Sequence, residues 1–273
     1  TDISAHAMQY IGAPFTFGLS EVSTNLSVAG PNAVVAAGDI VYWMGRGEFY
    51  AYDGRVQQMD CAVKDYVFSN INLGQIEKVS AGHNAAFSEL WWFYPSANSP
   101  ENNRYVVYNY AQNIWYYGSM SRTAWLDRSV FLYPLAACPS GCVFYHEFGL
   151  NDGSANPPAA INAYIESSAV DIAEGDQFMF AHRLIPDITF RTSTGTPTAT
   201  FTLKAKNFPG GPLFGDDATN TTRTATVPVE QFTNQTFVRI RGRALSLRVE
   251  SNQTNTGWRL GVPRLDLRTD GKR

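Results

Sequence analysis

Metal-ligating residue types crowd together most closely at Cys138-Pro-Ser-Gly-Cys142, with His146 following shortly after. If the segment leaves a tight turn as a strand, Cys142, Phe144 and His146 share a face and Cys138 lies across the turn. A structural zinc site takes four ligands, commonly in two pairs, and no second pair follows. Cys138, Cys142 and His146 are therefore weak metal candidates, and two thiols packed as small hydrophobes in a turn are the simpler reading. No metal and no other cofactor is expected.

Other chemistry finds little scaffold. The chain has no G-x-S-x-G elbow, no G-x-x-x-x-G-K loop and no strand-linked G-x-G-x-x-G. His83 and Glu89 are imaginable as an acid–base pair, but a glutamate bonded to strand backbone or to an arginine is the commoner role. The expectation is a chain that is not an enzyme. A polysaccharide-cleaving alternative rests on Glu89 and Glu147, whose separation cannot be read from sequence. Trp91, Trp115 and Tyr117 are the candidates for stacking on sugars, although aromatics this dense belong mostly to a core. Arg239, Arg241 and Arg243 alternate along one strand face, with Arg248 beyond them. Such a row suits bidentate contact to phosphates or to a partner's carboxylates. On DNA it would contact the backbone without reading sequence.

The elements that hold these residues are strands. Of 273 residues, 44% are apolar, 14% aromatic and only 16% charged, against about a quarter in an average soluble domain. That is a folding composition, rich in strand and turn formers. The net charge of -3 hides an asymmetry: residues 239–273 hold nine Arg or Lys and three acids, a net of +6, so the rest sums to -9. A basic end on an acidic body points to a polyanion or an acidic neighbour. No apolar run reaches the roughly 18–20 residues of a membrane span, so no membrane partner is expected. Three cysteines are too few for a disulfide framework.

Ile40–Met44, Glu48–Tyr52 and Arg55-Val56 read as a meander, with Asp53-Gly54 predicting a two-residue type I′ turn. A second copy runs from Glu89–Tyr94 through a polar loop to Arg104–Tyr110 and Ile114–Gly118. A third is expected as a hairpin of Cys142–Phe148 with Ala160–Glu166. Tyr52, Tyr108 and Tyr164 fall 56 residues apart. Repeated aromatic meanders mark propeller blades, whose sheets bury both faces and so need not alternate with polar residues. Three blades do not close a ring, so a longer parent chain is expected. Beyond Ser168 the pattern becomes strictly alternating, as in Leu245, Leu247 and Val249. Runs at 177–182, 198–206, 223–229, 237–241, 244–250 and 257–267 are separated by turn clusters at Pro209–Pro212 and Ser251–Asn255. The fold expected is all-β: propeller-like blades over residues 1–170, then an antiparallel sandwich or barrel over 171–273.

Val41-Tyr42-Trp43-Met44-Gly45, Phe49–Gly54, Glu89–Ser96, Arg104–Tyr110, Ile185-Pro186-Asp187 and the closing Gly257–Gly261 and Arg264–Gly271 carry a resemblance. The chain is similar, from about Val35 to Arg273, to the C-terminal portion of tailed-phage structural proteins of the tail-hub or nozzle kind found in short-tailed phages. The resemblance implies a virion location in the tail, with assembly in the host cytoplasm. It further implies a homo-oligomeric ring below the portal, contacts to portal, adaptor or other tail proteins, and packaged double-stranded DNA passing non-specifically through the lumen. The alternative is a glycan-binding or host-recognition propeller module of a virion or cell surface.

Overall fold

The structure is a computed structural model that describes residues 3–208 and 223–272. It is nearly all-β, with blade-like meanders followed by an antiparallel sandwich, and forms two compact units, Thr1–Phe148 and Gly149–Arg273. The expected boundary at residue 170 therefore lies too far along the chain. The Pro209–Pro212 cluster falls outside the described residues.

In the first unit, Val34–Ala37, Ile40–Met44, Phe49–Tyr52 and Val56–Gln58 form a four-stranded meander in sequence order. Ser80–Asn84, Glu89–Tyr94, Arg104–Asn109 and Ile114–Ser119 repeat it. The run Leu90-Trp91-Trp92-Phe93-Tyr94 is buried throughout, because strand alternation sends its side chains into two different cores. Leu90, Trp92 and Tyr94 pack with Met44 and Phe49 of the first meander. Trp91 and Phe93 pack on the other side with Trp125. Trp125 belongs to a third, smaller meander of Ala124–Leu126, Leu135–Ala137 and Val143–Tyr145.

Two local expectations change. Tyr52 pairs with Val56, so the loop holds Asp53, Gly54 and Arg55 and is not a two-residue turn. Only Gly54 takes a positive φ there, and the Asp53 carboxylate accepts from the Arg55 amide at 3.3 Å. The third hairpin does not form. Val143–Tyr145 pairs with Leu135–Ala137, whereas Ala163–Glu166 pairs with Ala244–Ser251 in the second unit. That pairing brings charges together: Glu166 accepts from Lys204 at 2.7 Å and Arg248 at 3.1 Å, and Arg248 lies 3.9 Å over the Tyr164 ring. The 56-residue spacing thus joins equivalent strands at Tyr52 and Tyr108 but not at Tyr164.

The second unit faces two sheets together. One has the order Ala163–Glu166, Ala244–Ser251, Thr198–Lys206, Thr224–Glu230, and the other Thr236–Gly242, Met179–Ile185, Arg264–Thr269. Ala199, Phe201, Leu203 and Ala205 alternate into the core of Thr198–Lys206. One apolar cluster draws Leu203 and Leu245 from the first sheet and Met179, Val238 and Ile240 from the second, which defines a sandwich. The expected single run at 257–267 is two strands, Trp258–Leu260 and Arg264–Thr269. Between them the amides of Gly261 and Val262 turn to the Asp187 backbone oxygen (2.6 Å) and carboxylate (2.8 Å).

At the start of the first unit, Ser4–Tyr10 pairs with Phe17–Thr24 as a two-stranded ribbon. Met8 opposes Leu19 and Tyr10 opposes Phe17, so all four side chains share one face. They are 59–73% exposed. A two-stranded ribbon is marginal by itself in water.

Candidate functional site

The hairpin joining Ser80–Asn84 to Glu89–Tyr94 brings Asn84 directly opposite Glu89. The buried Asn84 amide donates from Nδ2 to Glu89 Oε2 at 3.4 Å and to Glu147 Oε1 at 3.1 Å. Glu89 also accepts from Trp91 Nε1 at 3.0 Å and from the Tyr116 hydroxyl. Burial, and then the bond to Glu89, push the Tyr116 phenol far up. Glu147 is exposed as a residue, yet its carboxyl is raised by desolvation and by the charge of Glu89, with the Asn84 bond opposing. Its backbone sits at φ 56°, a left-handed conformation that costs a residue with a Cβ. Asn84 Oδ1 is buried and has no partner among the described residues. Two carboxyls with different surroundings, held by one amide, form the arrangement acid–base chemistry uses.

His83 does not join them. It neighbours Asn84 on the strand and so faces the opposite way. Its ring meets the Tyr110 hydroxyl at 3.2 Å, and its carbonyl accepts from Trp125 Nε1 at 2.9 Å. Sequence reasoning placed Glu89 and Glu147 in one hypothesis but missed Asn84 and Tyr116. Neither residue type announces chemistry by itself, and only the observed register across the turn Ala85–Ser88 sets Asn84 opposite Glu89.

The three aromatic candidates for sugar stacking are not brought onto one open face. Trp91 is 7% exposed and stacked on Trp125 with ring centres 5.5 Å apart. Tyr117 is stacked on Tyr66 at 3.9 Å. Trp115 packs against Phe49 and Tyr108 and donates to the Asp60 backbone oxygen at 2.8 Å. One edge of Trp115 does line an open cavity of about 450 Å³, shared with Tyr42, Asp53, Asp60, Tyr108 and Asn113.

The metal candidates separate. His146 Nε2 accepts from Arg122 Nε at 2.9 Å, and its ring lies 4.8 Å from that of Trp125. Burial and the Arg122 charge hold it down at about 4, so it is neutral. Among the described residues no group of three metal-ligating side chains converges. Cys138 and Cys142 remain together. The Ser140 hydroxyl is 2.9 Å from Cys138 Sγ, and the Cys142 amide donates to the same sulfur at 3.3 Å. These contacts, the Ser140 bond first, lower the Cys138 thiol to about 7.

Three of the four arginines proposed for outside contacts are held within the second unit. Arg241 binds the Asp270 carboxylate and lies 4.0 Å over Phe178. Arg243 donates to the carbonyls of Gly175, Asp176 and Lys272 at 2.7–3.0 Å. Arg248 binds Glu166 and Glu250, the latter at 2.7 Å. Arg239 is exposed and has no ion pair among the described residues.

No family model matches the chain, and no curated protein matches it. Among solved structures, it is similar to an exo-β-1,3-galactanase from Phanerochaete chrysosporium with galactose, at 8% identity and a TM-score of 0.29. A variant of that enzyme with β-1,3-galactotriose matches at 9% identity and a TM-score of 0.27; each match covers 97% of this chain and 75% of the other. Both neighbours are enzymes, against the expectation of a chain that is not an enzyme, and that expectation is withdrawn. Neither neighbour bears on a phage location, and at these scores neither assigns an activity.

Proposed function

We propose that the chain is a structural subunit of a tailed-phage virion, packed in a ring of identical copies at the tail hub or nozzle. The observation that carries this reading is the ribbon of Ser4–Tyr10 and Phe17–Thr24. Met8, Tyr10, Phe17 and Leu19 present a uniform apolar face to solvent. A face of this kind favours burial against another surface. The low share of charge suits a body covered by copies of itself. In this reading Arg239, of the four candidate arginines, is the one without an ion pair among the described residues and so open to an acidic adaptor or a DNA phosphate. Light scattering of the full chain tests it: the native chain should exceed its 30.2 kDa mass, while Met8→Lys with Leu19→Lys should return it to the monomer. A native chain that stays at the monomer mass at high concentration overturns the reading, as does failure to find the chain in purified particles by mass spectrometry.

The Glu89–Asn84–Glu147 arrangement favours a second reading, a glycan-cleaving site in the same unit. Turnover on a panel of polysaccharides, lost in Glu147→Gln and in Glu89→Gln, would support it. Absence of turnover across that panel would dismiss it.

A further inference from the structure

We propose that Cys138 and Cys142 form a modification site, where exchange with a small-molecule disulfide closes an intramolecular disulfide across the hairpin turn. The backbone sets the pair face to face. Ala137 pairs with Val143, so the next residues outward are Cys138 and Cys142, and the Cys138 amide donates to the Cys142 carbonyl at 2.9 Å. Pro139, Ser140 and Gly141 make the turn, closed by the Gly141 amide on the Cys138 carbonyl at 3.1 Å. Gly141 has a φ of +84°, where a side chain would be strained. Opposed residues of a hydrogen-bonded antiparallel pair have Cα atoms about 5.5 Å apart, inside the span of a disulfide.

The side chains agree with the backbone. One hydroxyl, that of Ser140, lies 2.9 Å from Cys138 Sγ and 3.9 Å from Cys142 Sγ, so both sulfurs turn to the same side of the loop. Cys142 is exposed and Cys138 partly so, which leaves the pair open to a small reagent. The Ser140 hydroxyl and the Cys142 amide favour the Cys138 thiolate, which makes Cys138 the attacking sulfur. The third cysteine contrasts with both: Cys61 is buried, and burial first pushes its thiol up to about 11.

The exchange balances with a glutathione-type disulfide as oxidant. Cys138 thiolate attacks one sulfur of the reagent; the new S–S bond forms, the reagent's bond breaks, and one thiolate leaves and takes up the proton that Cys138 released. Cys142, giving up its own proton, then attacks Cys138 Sγ and expels the second thiolate. Two protein thiols are oxidised, and one small disulfide is reduced to two thiols. The product cross-links the turn of a meander whose flanking strands, Leu135–Ala137 and Val143–Tyr145, are three residues each.

Intact mass of the full chain after incubation with oxidised glutathione tests this. The native chain and Cys61→Ser should each lose about 2 Da and return to their starting mass on adding dithiothreitol. Cys142→Ser should instead hold a single glutathione on Cys138, located by peptide mapping. Glutathione adducts persisting on the native chain, an unreacted native chain, or loss of the mass change in Cys61→Ser would each overturn the proposal. Peptide mapping of the native product keeps the test independent of whether any variant folds, since only a peptide linking Cys138 to Cys142 satisfies it.

Discussion

Asn84 donates to Glu147 at 3.1 Å across 63 residues of chain, and through the same amide nitrogen it holds Glu89. The contact ties the first hairpin of the second meander to the segment leaving the third. It also places two like charges within reach of one buried group, which is costly when both carboxyls are ionised.

Glu147 therefore gives a pH signature. Its carboxyl is raised by burial and by Glu89, so the folded state holds that proton more tightly than the unfolded state. The stability this contributes is present below the ordinary carboxyl range and is lost as pH rises through the folded value. Glu147→Gln keeps an oxygen for Asn84 but removes the charge. The variant is expected to melt higher than the native chain at pH 7–8, by at most about 4 °C, with the gain vanishing near pH 4. Thermal melts at both ends of that range measure it; a variant less stable at pH 8 than the native chain contradicts the assignment.

Trp92 tests the shared core of the first two meanders. It is fully buried, donates from Nε1 to the Ala33 carbonyl at 3.0 Å, and meets Phe49 with ring centres 5.2 Å apart. Trp92→Ala should cost about 3–5 kcal/mol in urea unfolding, from lost burial and the cavity left behind. Trp92→Phe should recover most of that and leave a deficit of about 0.5–1.5 kcal/mol from the one hydrogen bond lost, since the Ala33 carbonyl still accepts from the Met44 amide at 3.2 Å.

Blade-like meanders were legible wherever local pattern decided the pairing. The run Leu90 to Tyr94 has no polar alternation because both faces are covered, and that alone marks a layered architecture. Alternation at Ala199, Phe201, Leu203 and Ala205 likewise marks the sandwich. Partners distant in the chain were not legible. Ala163–Glu166 looks like the second half of a local hairpin, yet it pairs with Ala244–Ser251, far along the chain, where Glu166 meets Lys204 and Arg248. The same blindness explains the arginines. A row at Arg241 and Arg243 reads as available until Phe178, Asp270 and three carbonyls are seen around it. Of the acidic pair, the residue types were visible and the linking Asn84 was not, since a neutral amide announces no chemistry.

Glu166 predicts the opposite pH trend in the second unit. Burial works to raise its carboxyl, but hydrogen bonds and charge from Lys204 and Arg248 outweigh this and leave it lowered. A lowered carboxyl adds stability above its unfolded value, and that stability is lost as pH falls through the folded value. Glu166→Gln should destabilise the unit at pH 7 by about 1.5–3 kcal/mol, the usual range for hydrogen bonds to charged groups. The difference from the native chain should shrink below about pH 4. Hydrogen exchange at Ala244–Ser251, the strand paired to Glu166, reads this locally. Equal protection in native and variant chains at pH 7 would show that the pairing does not depend on the charge.

Gly82 tests how closely the second and third meanders approach. A Cβ there would sit 2.4 Å from Trp125 Cγ and 2.6 Å from Trp125 Cβ, so the ring must move as a whole. The ring is held in place by its donation to the His83 carbonyl and by stacking on Trp91 and Phe93. Gly82→Ala should cost about 1–3 kcal/mol, the range for overpacking a filled core. Displacement of Trp125 also removes the ring beneath His146, so amide protection over Ala124–Leu126 should fall before that over Glu89–Tyr94. The control is Gly38→Ala, where nothing lies within 4 Å of the added carbon and only the positive φ opposes it. If the two variants lose stability equally, backbone conformation and not the Trp125 contact governs both positions.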